Sequence, residues 1–231
     1  MNSPKHRPIR SFVKREGRMT RSQVRALEEL MPLYGIAANG QTLELDKLFP
    51  RKAPRFVEIG FGMGASLLQM AQAHPDRDYI GIEVHRPGVG STLHKLHEMK
   101  LANLKVINHD AVEIFKQCIP ANSLDGVTLF FPDPWHKKKH HKRRILQNDF
   151  VQQIHQALKQ GGIFHMATDW EDYALQMMEV MSTTEGYTNQ AGDRVYSQRG
   201  DRPETKYEHR GQRLGHGVWD LVFVKGRKGT R

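Results

Sequence analysis

The segment Val57-Glu58-Ile59-Gly60-Phe61-Gly62-Met63-Gly64 places three glycines at alternate positions, directly after the short apolar run Arg55 to Ile59. Glycine lets a chain turn tightly and lets a ligand reach the backbone with no Cβ in the way. After the glycines, Ala65 to Ala73 has helical spacing and His74-Pro75 stops it. A strand, a glycine turn and a helix in that order open an α/β sheet that binds ligands beyond its strands' carboxyl ends. The spacing is G-x-G-x-G, whereas dinucleotide sites read G-x-G-x-x-G. Glu58 also stands two residues before the first glycine. A pyrophosphate prefers a bare helix N-terminus, and a carboxylate there opposes it. An acidic entrance suits a cationic ligand, such as the amino and sulfonium groups of S-adenosylmethionine. On these residues alone, a purely structural tight turn stays open.

The same alternation continues outward. Strands are predicted over Tyr79 to Glu83, Leu104 to Asn108, Asp125 to Phe131 and Ile163 to Thr168. Helical segments are predicted around Thr92 to Met99, over Ala111 to Gln117, over Ile145 to Lys159 with Gly161-Gly162 as its C-cap, and over Tyr173 to Met181. Repeated β-α units imply a mostly parallel sheet with helices on both faces. Tyr187 to Val195 and Val218 to Val224 lack room for a covering helix and are expected to form an antiparallel hairpin at one edge, completing a seven-stranded Rossmann-like sheet.

Two more acids fall at strand ends. Glu83 closes the second strand about twenty residues past the glycines, where an acid grips ribose hydroxyls. Asp110 follows the third, where a carboxylate can accept from an adenine amino group. Either could simply cap a helix, and Asp110 before Ala111-Val112-Glu113 is well suited to that. Acids after three successive strands nevertheless share the edge where open α/β sheets hold ligands.

The fourth strand runs into Phe131-Pro132-Asp133-Pro134-Trp135 and then His136-Lys137-Lys138-Lys139-His140-His141-Lys142-Arg143-Arg144. Two prolines restrict the backbone around Asp133 and aim its carboxylate. The ring and the cations after it can meet base and phosphate together. A charge run is more often a solvated face, but this one leaves the ligand-binding edge of the sheet. Asp169, after the fifth strand, either joins Asp133 or caps the next helix. The polar stretch Ser197 to Gly217 reads by itself as a surface loop.

With 231 residues, 35 Lys plus Arg against 25 Asp plus Glu, and a mean hydropathy of -0.63, the chain reads as soluble and strongly basic, with polyanions as natural partners. No apolar stretch approaches the roughly 20 residues of a membrane span, and the basic N-terminus lacks the apolar segment of a secretory signal. A single cysteine, Cys118, forms neither an intramolecular disulfide nor a zinc site by itself. An intracellular, cytoplasmic protein is expected. Residues 1–54 are read as a basic arm, aperiodic to about Gln23, and a short helix from Ser22 to Leu33. The catalytic domain is read as residues 55–231.

Taken together, Glu58 to Gly64, Gly81-Ile82-Glu83 and Phe131 to Lys138 resemble the bacterial tRNA (guanine-N7)-methyltransferase family, of the class I S-adenosylmethionine-dependent fold. Arg10-Ser11-Phe12-Val13, Gly17-Arg18-Met19-Thr20, Ala167-Thr168-Asp169-Trp170 and Thr205-Lys206-Tyr207-Glu208 match as well, so the resemblance spans nearly the whole chain. It implies methyl transfer from S-adenosylmethionine to N7 of a guanine in the tRNA variable loop (tRNA position 46), with no obligatory protein partner; no metal is expected either, because the adjacent His140 and His141 diverge and no other ligand has suitable spacing. By position it assigns Glu58, Gly60, Gly62 and Gly64 to the methionine part of the cofactor, Glu83 to its ribose and Asp110 to its adenine. Asp133 takes the catalytic position beside the cofactor. Lys137, Asp169, Thr205, Lys206, Tyr207 and Glu208 fall to the guanosine, and Lys139, His140, His141, Lys142, Arg143 and Arg144 to the RNA.

Overall fold

The computed structural model describes residues 10–13, 17–205, 208 and 217–226. The expected positions of Lys206 and Tyr207, and most of the basic arm, lie outside the described residues. Seven strands form one sheet in the order β3-β2-β1-β4-β5-β7-β6. They are β1 (Arg55–Ile59), β2 (Asp78–Ile82), β3 (Leu104–Ile107), β4 (Leu124–Phe130), β5 (Leu158–Thr168), β6 (Tyr187–Asn189) and β7 (Trp219–Lys225). The pairs from β3 through β5 are parallel, and β7 runs antiparallel between β5 and β6. The chain therefore steps outward from β1 to β3, then returns to the other side of β1 with β4. That reversal puts the topological switch point between β1 and β4.

Helices cover both faces. On one face α1 (Arg21–Tyr34), α3 (Ala65–Ala73) and α4 (Arg86–Glu98) enclose a core containing Phe61, Leu67, Tyr79, Leu93, Leu104 and Val106. On the other, α5 (Ala111–Gln117), α6 (Asn148–Ala157) and α7 (Glu171–Thr183) bury Ile59, Ile80, Val127, Leu129, Phe164 and Phe223 beneath Phe150, Ile154 and Met177. The short α2 (Leu45–Leu48) adds Leu45 to the same core. Strand residues alternate between these layers because successive side chains point to opposite faces.

Helix α1 shows how local chemistry sets a boundary. Thr20 accepts from the Gln23 amide at 3.2 Å while the Gln23 side chain accepts from the Thr20 amide at 2.9 Å, a reciprocal cap. The helix lies against α4, and the Ile36 amide then donates to the Val106 carbonyl at 2.8 Å, tying this segment to the β3 edge.

Several boundaries depart from the sequence reading; the helix expected from Ile145, for one, begins at Asn148. Helix α6 ends at Ala157 with Leu158 as its cap residue, so Gly161-Gly162 close no helix. They lie inside β5, where Gly161 has φ +76° and the register against β4 shifts between Leu124 and Gly126. The glycines there form a bulge, which needs the same positive φ as a helix cap. The strand expected over Tyr187 to Val195 stops at Asn189, where the chain turns through Gly192 at φ +110°. The fourth helix reaches back to Arg86, because Pro87 is tolerated in a first turn.

The α1–α4 crossing yields a test. A Cβ on Gly90 would stand 2.6 Å from the Gln23 carbonyl oxygen. Gly90→Ala should therefore push α1 away and cost about 1–3 kcal/mol in denaturant unfolding. A loss smaller than the roughly 0.5 kcal/mol of a neutral surface change would mean that the crossing is not tight.

Candidate active site

All three glycines after β1 adopt positive φ, at 73°, 57° and 78° for Gly60, Gly62 and Gly64. That conformation costs a side-chain-bearing residue strain and costs glycine little. The turn is closed behind: a Cβ on Gly64 would sit 2.2 Å from Thr92 Oγ1, and one on Gly88 would sit 2.1 Å from the Gly62 carbonyl oxygen. In front it is open, since a Cβ on Gly60 or Gly62 would meet nothing within 4 Å. The open side is a cavity of about 420 Å³ whose wall includes Gly60, Gly62, Glu83, Asp110, Phe131 and Asp133. It lies at the β1–β4 switch point.

Glu83 holds this floor together. One carboxylate oxygen accepts from the Gly62 amide at 2.8 Å, and the other accepts from the Val84 and His85 amides at 2.7 and 2.8 Å. A carboxylate has about four lone-pair sites, which leaves capacity for a ligand hydroxyl. Asp110 stands at two of these features at once. It caps α5 by accepting from the Val112 amide at 3.0 Å, and it lines the cavity. Burial holds its carboxyl above the usual carboxylate range.

Glu58 stands apart from the cavity wall, as does Gly64. Its side chain is buried, and its backbone stands between Gly81 of β2 and Thr128 of β4 in the register. Burial, and secondarily the charge of Glu83, push its carboxyl up to about 8.

The opposite rim is the turn after β4. Phe131 and Trp135 both have positive φ, at 51° and 47°, and bracket Pro132-Asp133-Pro134. Such conformations in bulky residues persist only where their surroundings over-determine them. Here the Phe131 amide donates to the Ala167 carbonyl at 2.8 Å, and the Trp135 indole donates to the Ser11 carbonyl at 3.1 Å. The Arg143 guanidinium lies 3.8 Å over the Trp135 ring and donates to the Arg10 and Phe12 carbonyls, each at 3.1 Å. Asp133, at the centre, is exposed on the rim and has no hydrogen bond to a described residue.

Those contacts tie residues 10–12 of the basic arm, aperiodic in the sequence reading, to the turn after β4. Ser11, Phe12 and Val13 form one wall of the cavity. Composition gives no signal of this, because the docking uses backbone carbonyls that any residue carries.

The basic run divides in two. A 3₁₀ turn over Lys138–Arg143 leaves Lys137, Lys138, Lys139 and Lys142 exposed. His140 leans toward Trp135, and His141 lies 3.7 Å from Asp172. Arg144, expected to face RNA, is 2% exposed. It donates to the Pro134 carbonyl at 2.8 Å, Gln176 at 2.6 Å and Asp172 at 2.5 Å, and its guanidinium covers the Tyr173 ring. Its donors anchor the turn to α7, so its charge is spent inside the protein.

Asp169 does not cap α7: Trp170 occupies the cap position, and its amide donates to Thr168 Oγ1 at 3.2 Å. Asp169 is half-buried and outside the residues lining the cavity. Thr205 Oγ1 accepts from the Glu208 amide at 3.2 Å, and the Glu208 carboxylate is buried against Arg202 at 2.8 Å. Among the described residues, no group of three or more His, Cys, Asp or Glu could hold a metal ion.

The protonated Glu58 makes stability depend on pH. Its folded value near 8 lies above its ordinary 4.5, so between them the folded chain holds a proton that the unfolded chain has released. Ligand-free stability contributed by this group is full below about 4.5 and is lost as pH rises toward 8, with a slope of at most about 1.4 kcal/mol per pH unit. Glu58→Gln should flatten that fall in thermal or denaturant unfolding. An unchanged profile in the variant would place the Glu58 carboxyl in its ordinary range.

Comparison with known proteins agrees with this geometry. A family model described as putative methyltransferase matches residues 52–221. The chain is 57% identical over 224 residues to the tRNA (guanine-N(7)-)-methyltransferase of Hydrogenovibrio crunogenus, covering 96% of this chain and 93% of that one. It is 58% identical over 220 residues to the enzyme of the same name from Edwardsiella ictaluri, covering 95% and 92%. Among solved structures, the 16S rRNA methyltransferase KamB superposes with a TM-score of 0.60 at 15% identity, over 80% of this chain and 93% of that one. The aminoglycoside resistance methyltransferase NpmB1 superposes with a TM-score of 0.54 at 19% identity, over 80% and 94%. These two are alike in fold alone. A glycine-floored cavity at the switch point, a rim carboxylate with no hydrogen bond among the described residues and these relatives lead to one conclusion: the chain belongs to the tRNA (guanine-N(7)-)-methyltransferase family.

Proposed function

We propose that the cavity at the β1–β4 switch point binds S-adenosylmethionine and that Asp133 is the carboxylate at which guanine N7 of the tRNA variable loop is methylated. The observation that carries this reading is Asp133 itself. It is an exposed carboxylate with no described hydrogen-bond partner, set between two positive-φ aromatic residues on the rim of a glycine-floored cavity.

The residues present fit the donor. Gly60 and Gly62 leave backbone open where any Cβ would intrude. Glu83 retains acceptor capacity toward ribose hydroxyls, and Asp110 stands across the cavity for the adenine. The donor supplies a methyl group already activated by its sulfonium. Glu58, buried on β1 two residues before Gly60, would add a negative charge near the donor's ammonium once its proton leaves.

Guanine N7 carries an in-plane lone pair and no proton, so no side chain must deprotonate it. The protein's task is to hold N7 in line with the methyl carbon, and such positioning can supply up to roughly 7–11 kcal/mol. Alkylation leaves the purine positively charged. A carboxylate held at that point stabilises the developing charge more than the neutral ground state. The Asp133 carboxylate can also accept from the guanine N1 and N2 hydrogens and orient the ring.

Around it, Lys137, Asp169 and the Thr205–Glu208 segment would flank the guanosine. Lys139 and Lys142, exposed on the 3₁₀ turn, would meet phosphates, with His140 and His141 beside them. Arg143 would act on RNA indirectly, by holding Trp135 and residues 10–12. We read the protein as cytoplasmic, with residues 1–54 as an arm and short helix appended to the transferase domain of residues 55–231. Among the described residues, no helix is long and apolar enough to cross a membrane.

Two outcomes follow. Asp133→Ala should lower methyl transfer to tRNA by about a hundredfold or more while leaving tRNA affinity within a few-fold. Near-parental turnover would remove Asp133 from the chemistry. Replacing Lys139 and Lys142 with Gln should weaken tRNA binding and reduce the slope of log K against log salt by about one per lost phosphate contact. An unaltered slope would return the run to a solvated surface.

A further inference from the structure

Arg202 is 3% exposed and lies beneath the turn that carries Asp133. Its Nε and Nη2 donate to the two oxygens of Asp220 at 2.7 and 2.8 Å, and its Nη1 donates to Glu208 at 2.8 Å. The guanidinium stands 5.7 Å from the Phe130 ring centre and 5.3 Å from that of Phe131. These are distances at which a cation is drawn to an aromatic face. Asp220 lies on β7 opposite Ala167 of β5, and it also bonds His165 Nε2 at 2.8 Å. One planar cation thus joins the fourth strand's last ring, the strained Phe131, strand β7 and the segment ending at Glu208.

Phe131, at φ +51°, needs something to hold it. Its amide is tied to Ala167, and its ring meets Arg202. We infer that Arg202 is a positioning residue for methyl transfer: stacked on Phe130 and Phe131, it holds the turn that aims Asp133 into the cavity, and Glu208 acts on the reaction by clamping Arg202. The inference rests on the reading of Asp133 given above. The buried Glu208 carboxylate reaches the turn through its bond to Arg202.

The network is built so that it can be tested. Without Arg202, Asp220 keeps its hydrogen bond to His165 and Glu208 keeps Arg199 at 3.6 Å, so neither buried acid is left without a partner. A lysine there retains charge but neither the flat face nor the fork that spans two carboxylates.

The experiment measures kcat, KM for tRNA and calorimetric S-adenosylmethionine affinity for Arg202→Lys, Arg202→Met, Phe131→Leu and Asp133→Asn. The inference expects kcat to fall at least thirtyfold in both Arg202 variants, with cofactor affinity and KM within threefold of the parent. Phe131→Leu leaves every ion pair in place and should lower kcat similarly, which keeps the test decisive if the Arg202 variants do not fold. A kcat within threefold of the parent in Phe131→Leu or Arg202→Lys overturns the inference. So does a parallel fall of kcat and cofactor affinity, which marks a merely structural role. An active Asp133→Asn would overturn the reading of Asp133 and this inference with it. An inactive Asp133→Asn beside active Arg202 variants overturns the positioning role alone.

Discussion

Three backbone amides converge on the Glu83 carboxylate, and the active site depends on that convergence. Gly62 belongs to the turn after β1, whereas Val84 and His85 follow β2. Two adjacent parallel strands end side by side, and their carboxyl ends would otherwise leave those amides facing a cavity unpaired. Buried amides without partners are costly, so an acid at this one position fixes the shape of both turns. The same acid brings negative charge to the cavity floor. Close packing of Gly64 on Thr92 and of Gly88 on the Gly62 carbonyl backs the turn from behind. The residues that set the chain geometry here are therefore the ones that the proposed donor would meet.

The opposite rim follows a different logic. Its turn is strained at Phe131 and Trp135, and several outside groups hold it: Ala167 of β5, Arg202 below, and Ser11 with Arg143 at the side. Arg144 anchors the far end by bonding Pro134 and Asp172. Basic residues that look interchangeable in the sequence thus separate by depth. The exposed lysines remain available to a polyanion, while three arginines, 143, 144 and 202, brace the protein itself. Guanidinium groups suit that task because they offer several donors in a rigid plane and a face that stacks on rings.

Much of this was legible from the chain. Alternating strands and helices, the glycine turn and the acids after successive strands pointed to a mostly parallel sheet with a ligand site at its carboxyl edge; the strand order, and with it the switch point, came from the structure. These signals are local: spacing of apolar residues, turn chemistry and position relative to a strand end. What escaped depended on distant contacts. Gly161-Gly162 read as a helix cap because a cap and a bulge ask for the same backbone freedom, and only the pairing of β5 with β4 decides between them. Arg144 read as an RNA contact because its partner Asp172 is 28 residues away. Residues 10–12 dock through carbonyl groups, which carry no side-chain signature. Asp110 was ambiguous between cap and ligand contact; it caps α5 and also stands in the cavity lining.

The central claim concerns the occupant of the cavity between the glycine turn and the Asp133 turn. A crystal structure with S-adenosylhomocysteine tests it most directly. The account predicts the ribose against Glu83, the adenine beside Asp110 and the sulfur facing the Asp133 rim. A vacant cavity in crystals that bind the compound elsewhere, or a nucleoside seated away from Glu83, would contradict it.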